Sequence, residues 1–390
     1  MIESVDRTDT SAAPAKRGFP INGPWLALLI YLATRVAQLG FIAWMAPANG
    51  PSIKGRLLAW DGGWFIRVAT EGYPHTYTYD PNNGQMLGNG LAFFPLYPAL
   101  IHAVHWVVPS YDWAAIGISW VAAGAASVLL YRFGTALRDR RLGYALVVLF
   151  CAQPMSVVLS MAYSEALFSA LVIAALYAAY REKFLIAGLL GLGAGLCRPT
   201  GLALALAIAV AAGMALRSGR ASGPAAWRAV AGSALALASV PAYLTWVGAR
   251  VGDLGAWFTI QTAGWGTTFD WGASTRDFLA TAFHQGNGWV QMSVAFILVA
   301  ATVAVVLAVM RRTWLPLIVY GLLSFALVVG QAGYYHSKPR LMIPVLLTLI
   351  PAGYAAARAK PRTAVLALTA YAAFGLWYGA YMITVWQYTI

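Results

Sequence analysis

The feature that most limits this chain is the length and continuity of its apolar runs. Residues 25–45, WLALLIYLATRVAQLGFIAWM, hold a single charged side chain, Arg35. A helix needs about 20 apolar residues to cross a bilayer. Lipid offers its backbone no hydrogen bonds, so each crossing must satisfy its own amides and carbonyls. A β-barrel would show alternating segments of roughly ten residues instead. Comparable runs lie near 24–46, 113–136, 142–160, 166–180, 184–198, 200–216, 229–248, 291–310, 314–335, 341–357 and 363–386. The pattern predicts an all-α polytopic membrane protein with about eleven transmembrane helices, several of them short. The chain is 60% hydrophobic and 10% charged, against about 25% charged in a soluble domain.

The first 20 residues are polar and end near Lys16-Arg17. They read as a disordered cytoplasmic tail, residues 1–22, without a cleavage site after an apolar core. Residues 23–390 then form one transmembrane domain. Cys151 and Cys197 sit in apolar segments, so neither a disulfide nor a metal site is expected from them. The five histidines show no metal-ligand spacing, and no metal is expected. No phosphate-binding glycine loop for a nucleotide is present.

The net charge of +13 would suggest nucleic acid in a soluble protein. Here it has a topological reading, because cytoplasmic loops collect Lys and Arg. The decisive run is LAFFPLYPALIHAVHWVV, residues 91–108, with two prolines and two histidines. If it spanned, RDRR (138–141), Arg311-Arg312 and ARAKPR (357–362) would all face outward. If it lies in the interface, they face the cytoplasm together with most of the 26 Lys and Arg. The positive-inside rule selects the interfacial reading. Two long outer segments follow, 47–112 and 249–290, and loops of that length are usually functional.

Nine cations fall elsewhere: Arg35 within the first run, and Lys54, Arg56, Arg67, Arg198, Arg250, Arg276, Lys338 and Arg340 at or beyond the outer face. An anionic lipid substrate would account for cations there.

Asp61 lies in WDGGWFIRVATEGYP, residues 60–74. Gly62 and Gly63 permit a sharp turn or a close ligand approach, and Trp60, Trp64 and Phe65 offer flat apolar surface. Asp61 is a candidate base; it equally reads as the cap of a helix over 62–71. Glu165 in YSEALFSAL is a second outer carboxylate, or a first-turn residue favoured by the helix dipole. Arg198 in GLCRPTG points at an anion, or snorkels to headgroups. His336, Lys338 and Arg340 in YYHSKPRLMIP form a candidate phosphate clamp, or an interfacial anchor belt.

These stretches resemble the GPI mannosyltransferase 2 (PIG-V) family. WDGGWFIRVATEGYP is similar to its WDG signature. AFFPLYPAL (92–100), YSEALFSAL and RPTG (198–201) are similar to further motifs in the same order, and QTAGWG (261–266) to its Gln and Trp region. KPRLMIP is similar to the closing Pro-Arg segment, with Leu341 where an aromatic is common. The resemblance covers residues 25–350.

It implies the GT-C glycosyltransferase fold, with juxtamembrane helices in the first outer loop, an acidic base there, and a lipid-phosphate sugar donor. Asp61 is then the base, with Glu165 beside it. Arg198, His336, Lys338 and Arg340 bind the donor phosphate, and Trp60, Trp64, Tyr97, Gln261 and Trp265 wall the substrate. The expected partners are a polyprenyl-phosphate sugar, a glycolipid or lipid-linked glycan acceptor, membrane lipids and, optionally, a partner subunit, without nucleic acid. No cofactor or divalent metal is expected. A lipid-linked-sugar flippase is the rival class, and would want cationic sites on both leaflets or at the midplane, and internal symmetry. Transfer of another sugar, such as arabinofuranose or glucose, stays open, as does the role of Arg35.

Overall fold

A computed structural model describes residues 23–390. The tail predicted at 1–22 lies outside the described residues.

The described residues are mostly helical. It opens with α1 (Pro24–Met45), α2 (Ile53–Leu57) and α3 (Asp61–Glu71), then a small antiparallel hairpin of β1 (Thr78–Tyr79) and β2 (Met86–Leu87). There follow α4 (Leu96–His105), α5 (Tyr111–Leu137), α6 (Arg140–Ala152), α7 (Glu165–Tyr180), α8 (Phe184–Gly195), α9 (Gly201–Arg217) and α10 (Pro224–Val251). The last third holds α11 (Ala256–Trp265), α12 (Ala273–Gln285), α13 (Trp289–Met310), α14 (Leu315–Val329), α15 (Lys338–Leu341), α16 (Ile350–Arg358) and α17 (Pro361–Thr384).

Each apolar run predicted to span contains a helix. Only five helices among the described residues, α1, α5, α10, α13 and α17, are long and apolar enough to cross a bilayer. A sixth crossing exists if residues 335–341 and 346–358, which meet at a 79° bend, count as one. The 22 residues of α1 reach about 33 Å at the helical rise, enough for the ~30 Å hydrocarbon layer. The 12 residues of α8 reach about 18 Å. The expected span 142–160 is α6 followed by irregular chain, because helix stops at Ala152 and Met155 takes a left-handed φ of 68°.

Irregular backbone at this depth is tolerated only where protein covers it. Arg35 supplies part of that cover. It has no exposed surface, and it donates to the carbonyl of Ser156 at 2.7 Å, to Ser160 Oγ at 3.1 Å, and to the carbonyl of Cys151. Its donors serve the last turn of α6 and the chain just beyond it. The helices themselves meet through small residues, as is common in membranes. At the α8–α10 crossing a Cβ on Gly188 would stand 2.3 Å from the Gly232 Cα.

The two ends of the bundle differ. At one end the Gly23 amide donates to the Tyr144 hydroxyl at 2.7 Å, Arg141 reaches the Ala357 carbonyl, and Arg138 and Arg311 lie over the Tyr354 ring. The basic clusters thus share the end where α1 begins. Residues 47–112 gather at the end where α1 finishes. The helix of the 91–108 run, α4, has 10 residues, about 15 Å at the helical rise and short of a ~30 Å crossing.

Candidate active site

Three breaks between helices and the two long segments 47–112 and 249–290 converge at that second end. Residues 153–164 precede α7, residues 196–200 join α8 to α9, and residues 330–337 follow α14. The third break is tied to the 249–290 segment by pairing of Phe269 with Gln331 and by an amide hydrogen bond from Ala332 to the Thr268 carbonyl, 2.8 Å. The 47–112 segment is tied to the same region from its other side. Arg250 donates to the carbonyls of Tyr73 and Pro74, each at 2.7 Å. A hydrogen bond from Tyr77, then one from the Gly255 amide, holds the Asp253 carboxyl below its ordinary range.

Asp61 is the first residue of α3, and the turn before it is strained. Trp60 has φ 54° and ψ −112°, a region that costs a non-glycine residue about 1–3 kcal/mol. Tyr163 braces the turn: its hydroxyl donates to the Ala59 carbonyl and accepts from the Asp61 amide, both at 3.3 Å. A Cβ on Gly62 would meet Ala162 at ordinary contact distance, 3.4 Å, and one on Gly63 would meet open space. The sharp turn is therefore at Trp60, not at the glycines. Asp61 is a first-turn carboxylate favoured by the α3 dipole.

Glu165 occupies the same position on α7. Its side chain has no exposed surface. Two arginines face it: Arg198 Nη1 at 2.9 Å and Arg340 Nε at 3.5 Å. Arg198 reaches it from the RPTG break, where the chain folds back so tightly that a Cβ on Gly201 would sit 2.4 Å from the Gly195 Cα. Arg340 also pairs with Asp61, Nη1 to Oδ2 at 2.6 Å, and lies over the Tyr163 ring at 5.0 Å. The four side chains form one alternating row, Asp61–Arg340–Glu165–Arg198. Lys338 adds a fifth charge. Two of its three N–H donors go to the carbonyls of Val328 and Gln331, at 2.9 and 2.7 Å, which closes the end of α14.

This row borders a cavity of about 190 Å³. Asp61, Arg198, Lys338 and Arg340 line it together with Phe93, Ser164, Trp257, Gln261, Trp265 and Gln331. Gln261 and Trp257 are fixed by donating to the Ala92 carbonyl, at 3.1 and 3.3 Å. Trp265 stands edge-on to Phe93 and Trp64.

The other expected residues fall elsewhere. Tyr97 is fully buried behind the wall, its hydroxyl bonded to the Ala115 carbonyl and Ser119. Trp64 packs behind Phe93 and borders a separate cleft with Arg67 and Glu71. Trp60 is the strained turn residue. His336 turns away, between Tyr334, Tyr335 and Trp386, with Thr389 at 3.4 Å. Other cations singled out in the sequence have protein partners: Lys54 pairs with Asp112, Arg67 with Glu71, Arg276 with Asp277, and Arg56 bonds the Ile383 carbonyl. Tyr163, Phe93 and Trp257 are site residues that sequence reading passed over. The first two stand inside motifs it singled out, while nothing local marks Trp257.

Residues 35–211 match the family model described as Mannosyltransferase (PIG-V). The resemblance read from the motifs is borne out there; segments 261–266 and 338–344 lie beyond the match. Over 141 residues, 33% of this chain, the sequence is 30% identical to GPI mannosyltransferase 2 of Drosophila pseudoobscura pseudoobscura. The chain spans 28% of that relative's length. The fold is similar to that of ArnT from Cupriavidus metallidurans bound to undecaprenyl phosphate, with a TM-score of 0.53 and 16% identity, covering 90% of this chain and 64% of that one. It is also similar to an oligosaccharyltransferase of Archaeoglobus fulgidus in complex with zinc and sulfate, with a TM-score of 0.50 and 13% identity, covering 93% and 52%. At such identity the likeness is one of fold, and the fold is GT-C, the one the motif resemblance implied.

Proposed function

We propose that this integral membrane protein is a glycosyltransferase. It moves mannose from a polyprenyl-phosphate donor to a hydroxyl of a glycolipid or lipid-linked glycan. The observation that carries the reading is Asp61 itself: a carboxylate from the WDG motif, facing a cavity edged by Arg198, Lys338 and Arg340.

The acceptor hydroxyl attacks C1 of the sugar, and Asp61 takes its proton. The C1–O bond to phosphate breaks, and the lipid phosphate leaves with one more negative charge. Arg340, the remaining N–H of Lys338, and Arg198 stand where that charge develops. One displacement inverts C1, so a β-linked donor yields an α-linked product. Trp265, Trp257 and Phe93 wall the sugar. These cations take the part a divalent metal plays elsewhere, so the reading includes none.

The basic end is assigned to the cytoplasm by the positive-inside rule. The cavity then opens on the extracytoplasmic side, where a lipid-borne sugar arrives within the bilayer.

The test is Asp61→Asn with synthetic polyprenyl-phosphate mannose and extracted membrane glycolipids as acceptors. Transfer should fall by roughly 10²–10⁴ while the protein still folds. Turnover near that of the wild type would remove Asp61 from the reaction.

A further inference from the structure

Asp61 and a lipid phosphate have claims on the same guanidinium. Arg340 Nη1 lies 2.6 Å from Asp61 Oδ2, and Arg340 also lines the cavity. A carboxylate accepting a charge-assisted hydrogen bond from arginine is a poor base, because protonation has to sacrifice that bond. An arginine spent on Asp61 is, in turn, only partly available to a phosphate. The side chains are 10% and 21% exposed, so water screens neither pairing strongly.

We infer that Arg340 exchanges partners: the phosphate of the donor draws the guanidinium away from Asp61, and Asp61 becomes a base only once the donor is in place. The inference rests on reading the cavity as a lipid-phosphate site. It requires no bond or proton to change hands, only a hydrogen bond to move from one oxyanion to another.

Glu165 makes such an exchange feasible. It faces both arginines from the protein side, yet neither of its oxygens accepts a well-directed hydrogen bond among the described residues, and Arg340 Nε likewise has no acceptor. Glu165 therefore holds the guanidiniums at the cavity edge by charge and itself takes no donor from them, while Arg198 Nη1 donates to Ser164 Oγ at 3.0 Å. It is a positioning residue. Asp61 on α3 and Arg340 on α15 belong to separate elements, so the contact between them can open while both backbones stay in place. Donor-first order follows, because in the empty site an acceptor hydroxyl meets a masked carboxylate.

The test measures binding of farnesyl phosphate to the full-length protein in detergent, by calorimetry. Removing a competitor tightens binding: Asp61→Asn should bind about tenfold more tightly than wild type, equivalent to about 1.4 kcal/mol. Arg340→Gln should bind more weakly. A merely structural Asp61–Arg340 pair predicts no gain, so unchanged or weaker binding by Asp61→Asn overturns the exchange. A wild-type protein that binds no prenyl phosphate overturns the donor-site reading instead, and the two failures are distinct. Should the variant not fold, infrared difference spectra of wild type carrying ¹³C-labelled aspartate serve in its place. An aspartate carboxylate band should shift on adding farnesyl phosphate, and unaltered bands overturn the exchange.

Discussion

Arg198 and Glu165 form an ion pair, Nη1 to Oε1 at 2.9 Å, in which the carboxylate has no exposed surface and the guanidinium is 18% exposed. The pair joins the RPTG break to the start of α7, two motifs separated in sequence by an entire helical hairpin. Removing one member of a buried pair leaves the other without compensation, at about 3–5 kcal/mol. Glu165→Gln should therefore lower stability by about that amount. A thermal melt in detergent measures it, and a melting temperature equal to wild type would show the pair to be dispensable.

Tyr163 and Tyr97 make a controlled comparison. Both are fully buried tyrosines, and both hydroxyls bond to backbone. The Tyr163 hydroxyl braces the turn that presents Asp61, whereas that of Tyr97 ties α4 to α5. Each Tyr→Phe change should cost about 0.5–1.5 kcal/mol of stability. Tyr163→Phe should also lower kcat, and Tyr97→Phe should leave kcat and donor KM unchanged. A drop in donor affinity for Tyr97→Phe would return Tyr97 to the sugar site.

Arg35 caps the broken end of α6. Arg35→Met keeps much of the volume and removes the donors, leaving buried carbonyls of Cys151 and Ser156 unpaired. Each costs about 1–3 kcal/mol. We expect a large loss of melting temperature with little change in donor KM in whatever fraction folds. A stable variant with a raised KM would instead place Arg35 in substrate binding.

Metal chelation separates the proposed charge stabilisation from a metal-assisted one. Transfer measured after dialysis against EDTA should match the untreated rate. Activity lost to EDTA and restored by added Mg²⁺ or Mn²⁺ would assign the leaving-group charge to a cation that the protein binds.

The helices, the gathering of the basic clusters at one end of the bundle, and the shortness of the helix in the 91–108 segment were all legible in the linear chain. Each depends on a local property: apolar run length, charge placement, or prolines within a short helix. Asp61 and Glu165 were legible for a related reason, since both sit at helix starts inside motifs with recognisable neighbours. Chain order alone also singled out Arg198, Lys338 and Arg340 as cations apart from the basic clusters.

What those cations do was decided only in three dimensions. An arginine at a membrane surface has the same sequence signature whether it awaits a phosphate, pairs with a distant carboxylate or caps a helix. Arg340 meets Asp61 across 279 residues, Lys338 is mostly spent on α14, and Arg35, Arg56 and Arg250 serve backbone carbonyls. Likewise AFFPLYP announces its aromatics without saying that Phe93 faces the cavity and Tyr97 faces away. Run length and hydropathy are sums over neighbours in the chain, so sequence determines them. The partner of a charge and the facing of a ring depend on which breaks between helices are packed against one another, and only the tertiary fold sets that.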